Sequence, residues 1–251
     1  MWRFICLIWI LTPLASAETS ERLTAFADGR YADAVALAQI EDSADSLAFA
    51  ARSLLAEAMS AEDHIPSLAL AEEAENFARR ALGLDPRHVE ARLQLAIALS
   101  LRARPMSTRQ ALDSGLGTEA KKLVLSVLDD DPDNFYAHGF MSVWHLEVVR
   151  RGGSLGSAMM GASVKKARRH YQHATALNPD DASTHWQYAR ALAALNAGKY
   201  RKEVQAALEA AYRATCETEL ETIMKARAVQ LNLALQAQSN REVERIAERM
   251  L

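Results

Sequence analysis

The chain has 251 residues, half of them hydrophobic and 24% charged, which is enough apolar material for a packed core and excludes a disordered chain. With 29 Lys and Arg against 32 Asp and Glu, the formal net charge is -3, too near neutral for whole-chain electrostatics to imply a nucleic-acid partner. Alanine is abundant, while β-branched and aromatic residues are scattered rather than gathered into alternating runs, so the composition points to an all-α protein.

In chain order, Met1-Trp2-Arg3 gives a basic start, Phe4 to Leu14 an apolar run, and Ala15-Ser16-Ala17 a small-x-small cleavage pattern. We read residues 1–17 as a signal peptide and 18–251 as the mature helical domain, secreted to a bacterial periplasm. The apolar run covers about 16 Å as a helix, half a bilayer core, so no transmembrane segment is expected in the mature chain. Cys6 falls in the leader and Cys216 remains as a lone cysteine, read as a small packed helix residue.

The body repeats. Leu84-Asp85-Pro86, Asp130-Asp131-Pro132 and Leu177-Asn178-Pro179 each place Asp or Asn before Pro, a pattern that suits a helix start with the polar side chain as cap and Pro in the first helical position. Five, eight and twelve residues before each Pro stand Ala81, Ala78 and Ala74, then Val127, Val124 and Ala120, then Ala174, Tyr171 and Ala167. Gly29-Arg30-Tyr31 and Gly198-Lys199-Tyr200 supply two links between helices. The spacing predicts helices over 20–40 (a hairpin), 43–60, 65–83, 86–103, 118–130, 133–151, 164–177, 180–197, 199–214, 217–237 and 240–250. Thr218 with Glu221 and Ser239 with Glu242 have capping-box spacing and open the last two helices.

These landmarks resemble the tetratricopeptide repeat (TPR), in which small residues let antiparallel helices approach closely and a Pro closes each unit. The resemblance covers most of residues 21–251. It implies a right-handed α-solenoid of antiparallel helix pairs with a protein or peptide partner in its concave groove. The chain departs from the family in length: Pro86 to Pro132 is 46 residues and Pro132 to Pro179 is 47, against the usual unit of about 34. The excess is assigned to two Gly/Ser-rich insertions, 102–117 and 150–164. The last helix, with Arg241, Glu244, Glu248 and Arg249 around Val243, Ile246, Ala247 and Met250, is expected to cap the array.

Chemical motifs are few. Gly152-Gly153-Ser154-Leu155-Gly156 matches the nucleophile-elbow pattern, but that elbow needs a strand before it and no strand run exists. His138 with His145, and His170 with His173, share helical faces, yet Arg168 and Arg169 oppose a cation, so no metal, cofactor or catalytic site is expected.

Recognition remains. Carried over from the family register, groove positions fall on Glu90, Leu93, Ile97, Ser100 and Leu101, on Tyr136, Gly139, Val143, Leu146 and Glu147, and on Ser183, Trp186, Arg190, Ala193 and Ala194. Tyr136, Trp186 and Arg190 are residue types that dominate hot spots, though Trp186 fits a core position equally. Arg150, Arg151, Lys165, Lys166, Arg168 and Arg169 flank a stretch with Met159 and Met160 and no acid, a candidate docking surface for an anionic face. The expected partner-binding set is Tyr136, Glu147, Arg150, Arg151, Lys165, Lys166, Trp186 and Arg190. The alternative is a small-molecule or lipid-binding accessory of a transporter, which an apolar cavity lined by Leu93, Ile97, Val143 and Trp186 would favour.

Overall fold

The computed structural model describes residues 14–61 and 67–250, with side chains from Glu21 onward. Among the described residues it contains helices and no strand: α1 (Leu14–Ala27), α2 (Tyr31–Ala38), α3 (Ala44–Met59), α4 (Leu68–Leu84), α5 (Val89–Ala103), α6 (Thr108–Asp113), α7 (Leu116–Asp130), α8 (Phe135–Met160), α9 (Val164–Leu177), α10 (Ala182–Asn196), α11 (Arg201–Arg213), α12 (Glu219–Ala237) and α13 (Asn240–Arg249). Most of the expected leader, residues 1–13, lies outside the described residues. None of the described helices is long and apolar enough to cross a membrane.

Neighbours in sequence pack as pairs, α3 on α4, α8 on α9 and α10 on α11, and the first helices of successive pairs touch each other, α3 with α5 and α8 with α10. The pairs therefore stack sideways into an array. Its apolar core forms two clusters, one built on α1 to α8 and the other on α8 to α13, which share α8, Trp144 packing into the first and Leu146 into the second.

The small-residue faces are the closest contacts. Ala74, Ala78, Ala81, Ala120, Val124, Val127, Ala167 and Ala174 all have no exposed surface. Glycines serve the same end at two places. Gly29 turns at φ +75° where a Cβ would stand 2.9 Å from Glu219 Cγ, and a Cβ on Gly139 would stand 3.1 Å from Thr184 Oγ1, so α8 and α10 cross there at close range.

The Asp/Asn-Pro boundaries need a correction, and it is the same at all three. The polar residue does not cap the next helix but folds a turn: Asp85 Oδ1 accepts from the Arg87 amide at 2.9 Å, Asp131 Oδ1 from Asp133 at 3.3 Å, and Asn178 Oδ1 from Asp180 at 3.4 Å. The true caps stand three residues later. His88 Nδ1 accepts from Ala91, Asn134 Oδ1 from Ala137 and Asp181 Oδ2 from Thr184, at 3.1, 3.0 and 2.7 Å.

The expected loops also differ. Within 102–117 a short helix, α6, opens on a capping box between Ser107 and Gln110. The 150–164 segment is largely helical, because α8 runs on to Met160 with a kink at Gly153, whose φ +57° and ψ -153° only glycine adopts readily. Cys216 lies in the α11–α12 connection rather than in a helix.

Since Ala78 is enclosed on every side, Ala78→Trp should overpack α4 against its neighbours and cost about 1–3 kcal/mol or more. Chemical denaturation of the variant and the parent chain measures the difference.

Candidate recognition surface

The first helices of the N-terminal pairs align a connected row of aromatic and charged side chains. Phe26 on α1 stacks near Phe49 on α3, with ring centroids 5.8 Å apart, and the Arg52 guanidinium lies over both rings at 4.8 and 4.6 Å. Arg52 reaches Glu90 on α5 at 3.3 Å. Tyr136 on α8 continues the row and is 61% exposed. Burial still raises its phenol pKa, with Asp181, Glu221 and Glu90 acting in the same direction and Arg52 against them. The helices these groups come from touch in turn, α3 with α5, α5 with α8, α8 with α10 and α10 with α12, and α12 returns to the end of α3 through Arg227, so the exposed ring stands inside a bowl.

The C-terminal half of the inner face is covered by the chain itself. Trp186 has no exposed surface and Arg190 only 2%. The Arg190 guanidinium reaches Glu147 Oε1 at 3.2 Å and donates to the Ala247 carbonyl on α13 at 3.5 Å. Glu147 also accepts from Arg150, which in turn pairs with Glu248 at 2.5 Å. Arg104, at the end of α5, donates to the carbonyls of Glu248 and Arg249, where a cation suits the C-terminus of a helix. Burial works to raise the Glu147 pKa, but Arg190 and Arg150 hold it below the usual carboxylate value. Burial and Arg190 press Arg104 down to about 10. The expected groove residues Glu147, Arg150 and Arg190 thus lie under α13, which sits against α10 rather than only closing the end of the array, and Trp186 is buried in the core.

Other register positions divide similarly. Leu93, Leu101, Leu146 and Ala193 are buried, Gly139 is the crossing point with α10, and Glu90, Ile97, Ser100, Val143, Ser183 and Ala194 stay partly open. On the opposite side of the bowl Arg227 of α12 donates to the carbonyls of Met59 and Ala61, at 2.6 and 2.8 Å, which ties the end of the chain to α3.

The basic segment is less free than its sequence reads. Arg150 is paired as above, Arg168 holds Glu203 with two bonds of 2.9 and 2.8 Å, and Arg151 donates to the carbonyls of Ala103 and Met106. Lys165, Lys166 and Arg169 remain exposed, as do Leu155 and Met159. Ser154 lies on the kinked helix, without the strand that a nucleophile elbow requires.

The two histidine pairs meet as a row, which sequence spacing could not show. His138 Nδ1 and His170 Nδ1 are 2.8 Å apart, the His138 and His173 rings 4.1 Å and the His145 and His170 rings 5.6 Å. No cluster among the described residues has the arrangement of a metal site. Burial, reinforced by neighbouring imidazoles and lysines, pulls His145 and His170 down to about 4.

No family model and no curated protein matches the chain. Among solved structures it is similar to the crystal structure of a thermophilic TPR protein from Thermus thermophilus, with a TM-score of 0.59 and 18% identity over 86% of this chain and 98% of that one. The fold is that of a TPR-like solenoid. At this identity the likeness carries the architecture alone.

Two measurements follow. Glu147→Gln removes the carboxylate that answers Arg190, so the TPR-like array should lose about 3 kcal/mol in a denaturant melt; a residue serving only a partner would leave stability unchanged. His145 and His170 titrate near 4 in the folded chain against 6.5 in the reference state, so the unfolded chain binds more protons in between. Their contribution is complete above pH 6.5 and is lost as pH falls toward 4, so stability should drop by about 2–4 kcal/mol between about pH 7 and pH 5. A chain carrying His145→Gln and His170→Gln should have a flatter profile.

Proposed function

We propose that the chain is an exported, periplasmic, non-enzymatic scaffold that holds a protein or peptide partner on its inner face, centred on Tyr136. The supporting observation is Tyr136 itself, an aromatic hot-spot type left 61% exposed inside a bowl while the residues around it are committed to packing. Asp181, Glu221 and Glu90 lie within electrostatic reach of its hydroxyl, against Arg52 alone. That surplus of acids favours a segment with a basic side chain next to an apolar or aromatic one. The export half of the reading rests on the leader pattern of residues 1–17.

The small-molecule alternative would draw on a cavity between Leu93, Ile97, Val143 and Trp186. Leu93 is 7% exposed and Trp186 not at all, so those two contribute to the core.

The test combines location and capture. Fractionation should recover a chain that begins at Glu18 and is released by osmotic shock; an uncleaved chain in the membrane pellet would refute export. With that mature chain as bait in an envelope extract, Tyr136→Ala should lose the captured partner while its stability stays within about 0.5 kcal/mol of the parent, as befits an exposed side chain. A variant that retains the same partners would refute the assignment of the bowl.

A further inference from the structure

Away from the inner face, a cleft of about 290 Å³ opens between α7, α8 and α9. Lys121 reaches it from α7, Lys166 and Arg169 from α9, and the His145 and His170 rings form part of its wall beside Leu125 and Met141. Among the described residues no Asp or Glu lines it.

Three features mark this cleft, beyond the capping of the α8 C-terminus that its two lysines share with Arg104 on α13. First, like charges converge. A Cβ on Gly161 would stand 3.8 Å from Lys166 Nζ and 4.0 Å from Lys121 Nζ, and the two ammonium groups donate to the successive carbonyls of Gly161 and Met160 at 2.8 and 2.9 Å. Each retains further donors beyond that one bond. Second, Lys166 sits in the first turn of α9, which has no acid, so its charge opposes the helix dipole. Third, His145 is 3% exposed and its Nδ1 has no hydrogen-bond partner.

We propose that this cleft binds the phosphoryl group of a small phosphate monoester. Three cations without a counter-charge suit a dianion better than a monoanion, and a phosphate monoester is close to dianionic at neutral pH. Its oxygens accept a paired fork from a guanidinium and single bonds from ammonium groups. The volume is at the lower edge of the range for small-molecule sites, about 300–1,000 Å³, which limits the ester to a short apolar body against Leu125 and Met141.

The histidines add a proton to the account. His138 Nε2 donates to the Pro132 carbonyl at 2.9 Å, so in the neutral ring its Nδ1 accepts, and His170 Nδ1 is the donor across 2.8 Å. With that N–H committed, His170 meets an anion only by taking up a second proton. The charged groups acting on the two rings are Lys121 from α7, His138 from α8, and Lys166, Arg169 and His173 from α9, all cations or imidazoles. An anion in the cleft offsets that field and raises both imidazole pKa values.

Calorimetric titration of the folded chain with inorganic phosphate and with phenyl phosphate, alongside imidazole NMR, tests the proposal. Both probes should saturate, phenyl phosphate more tightly, with the His145 and His170 pKa values moving up and affinity falling as salt is added. Lys121→Gln and Lys166→Gln should each weaken phenyl phosphate about tenfold at unchanged melting temperature, whereas Lys165→Gln, one residue away and outside the cleft, should not. Co-sedimentation with phosphatidic acid vesicles separates the sources: binding there as well identifies a lipid headgroup, and its absence a soluble ester. The proposal is overturned if neither probe saturates, if both cleft lysine variants bind like the parent, or if benzoate, a monoanion with the same apolar body, binds as tightly as phenyl phosphate.

Discussion

A guanidinium with 2% of its surface exposed must have its charge answered inside the protein, and much of the C-terminal half is arranged around that demand at Arg190. Glu147 answers Arg190 and is shared with Arg150. Arg150 then requires a second carboxylate, which Glu248 supplies from α13. Arg104 collects the last carbonyls of the same helix. The charges fix where α13 lies, and Val243, Ala247 and Met250, all buried, complete the contact with apolar surface. Two kinds of interaction thus specify one position, the ion pairs setting the register and the small apolar face supplying most of the favourable free energy.

Much of this architecture is written locally. The Ala and Val positions counted back from each Pro are buried without exception because close approach of two helices demands a small side chain at that height, and the demand recurs with each pair. The Asp/Asn-Pro boundaries read three residues early because an Asp before Pro suits both a cap and a turn; what decides is a second polar residue, His88, Asn134 or Asp181, which stands three places on in every case. The 150–164 segment reads as a loop because of its glycines, yet up to Met160 only Gly153 leaves helical geometry, and the true break is the short turn at Gly161 to Ser163. In the neighbouring insertion Ser107 and Gln110 have the same capping-box spacing that correctly places the start of α12.

The recognition surface is legible only as far as one helix reaches. Family register picks out one face of α5, α8 and α10, but whether that face meets solvent depends on where α12 and α13 fold back, a contact made across 57 residues between Arg190 and Ala247 and 168 between Met59 and Arg227. Nothing near Trp186 in sequence announces that its face is covered. The histidines show the same boundary: spacing puts His138 with His145 and His170 with His173, while their meeting depends on the packing of α8 against α9. Once they meet away from water, the rings repel one another's charge and stay neutral, so the row behaves as a packed element at neutral pH rather than as a patch of cations.

The closure of the C-terminal half gives the open half its meaning. A solenoid whose inner face were apolar throughout would expose a long adhesive surface, and such patches are rarely left uncovered. Here the chain covers the C-terminal stretch with its own last helix and leaves open the part where Arg52 is already engaged with two aromatic rings and Glu90. A partner arriving there meets side chains held in place by cation–π and ionic contacts, so little conformational freedom is lost on binding. Tyr136 is the member of that row with most of its ring still open to solvent, which is why recognition is best sought at its ring.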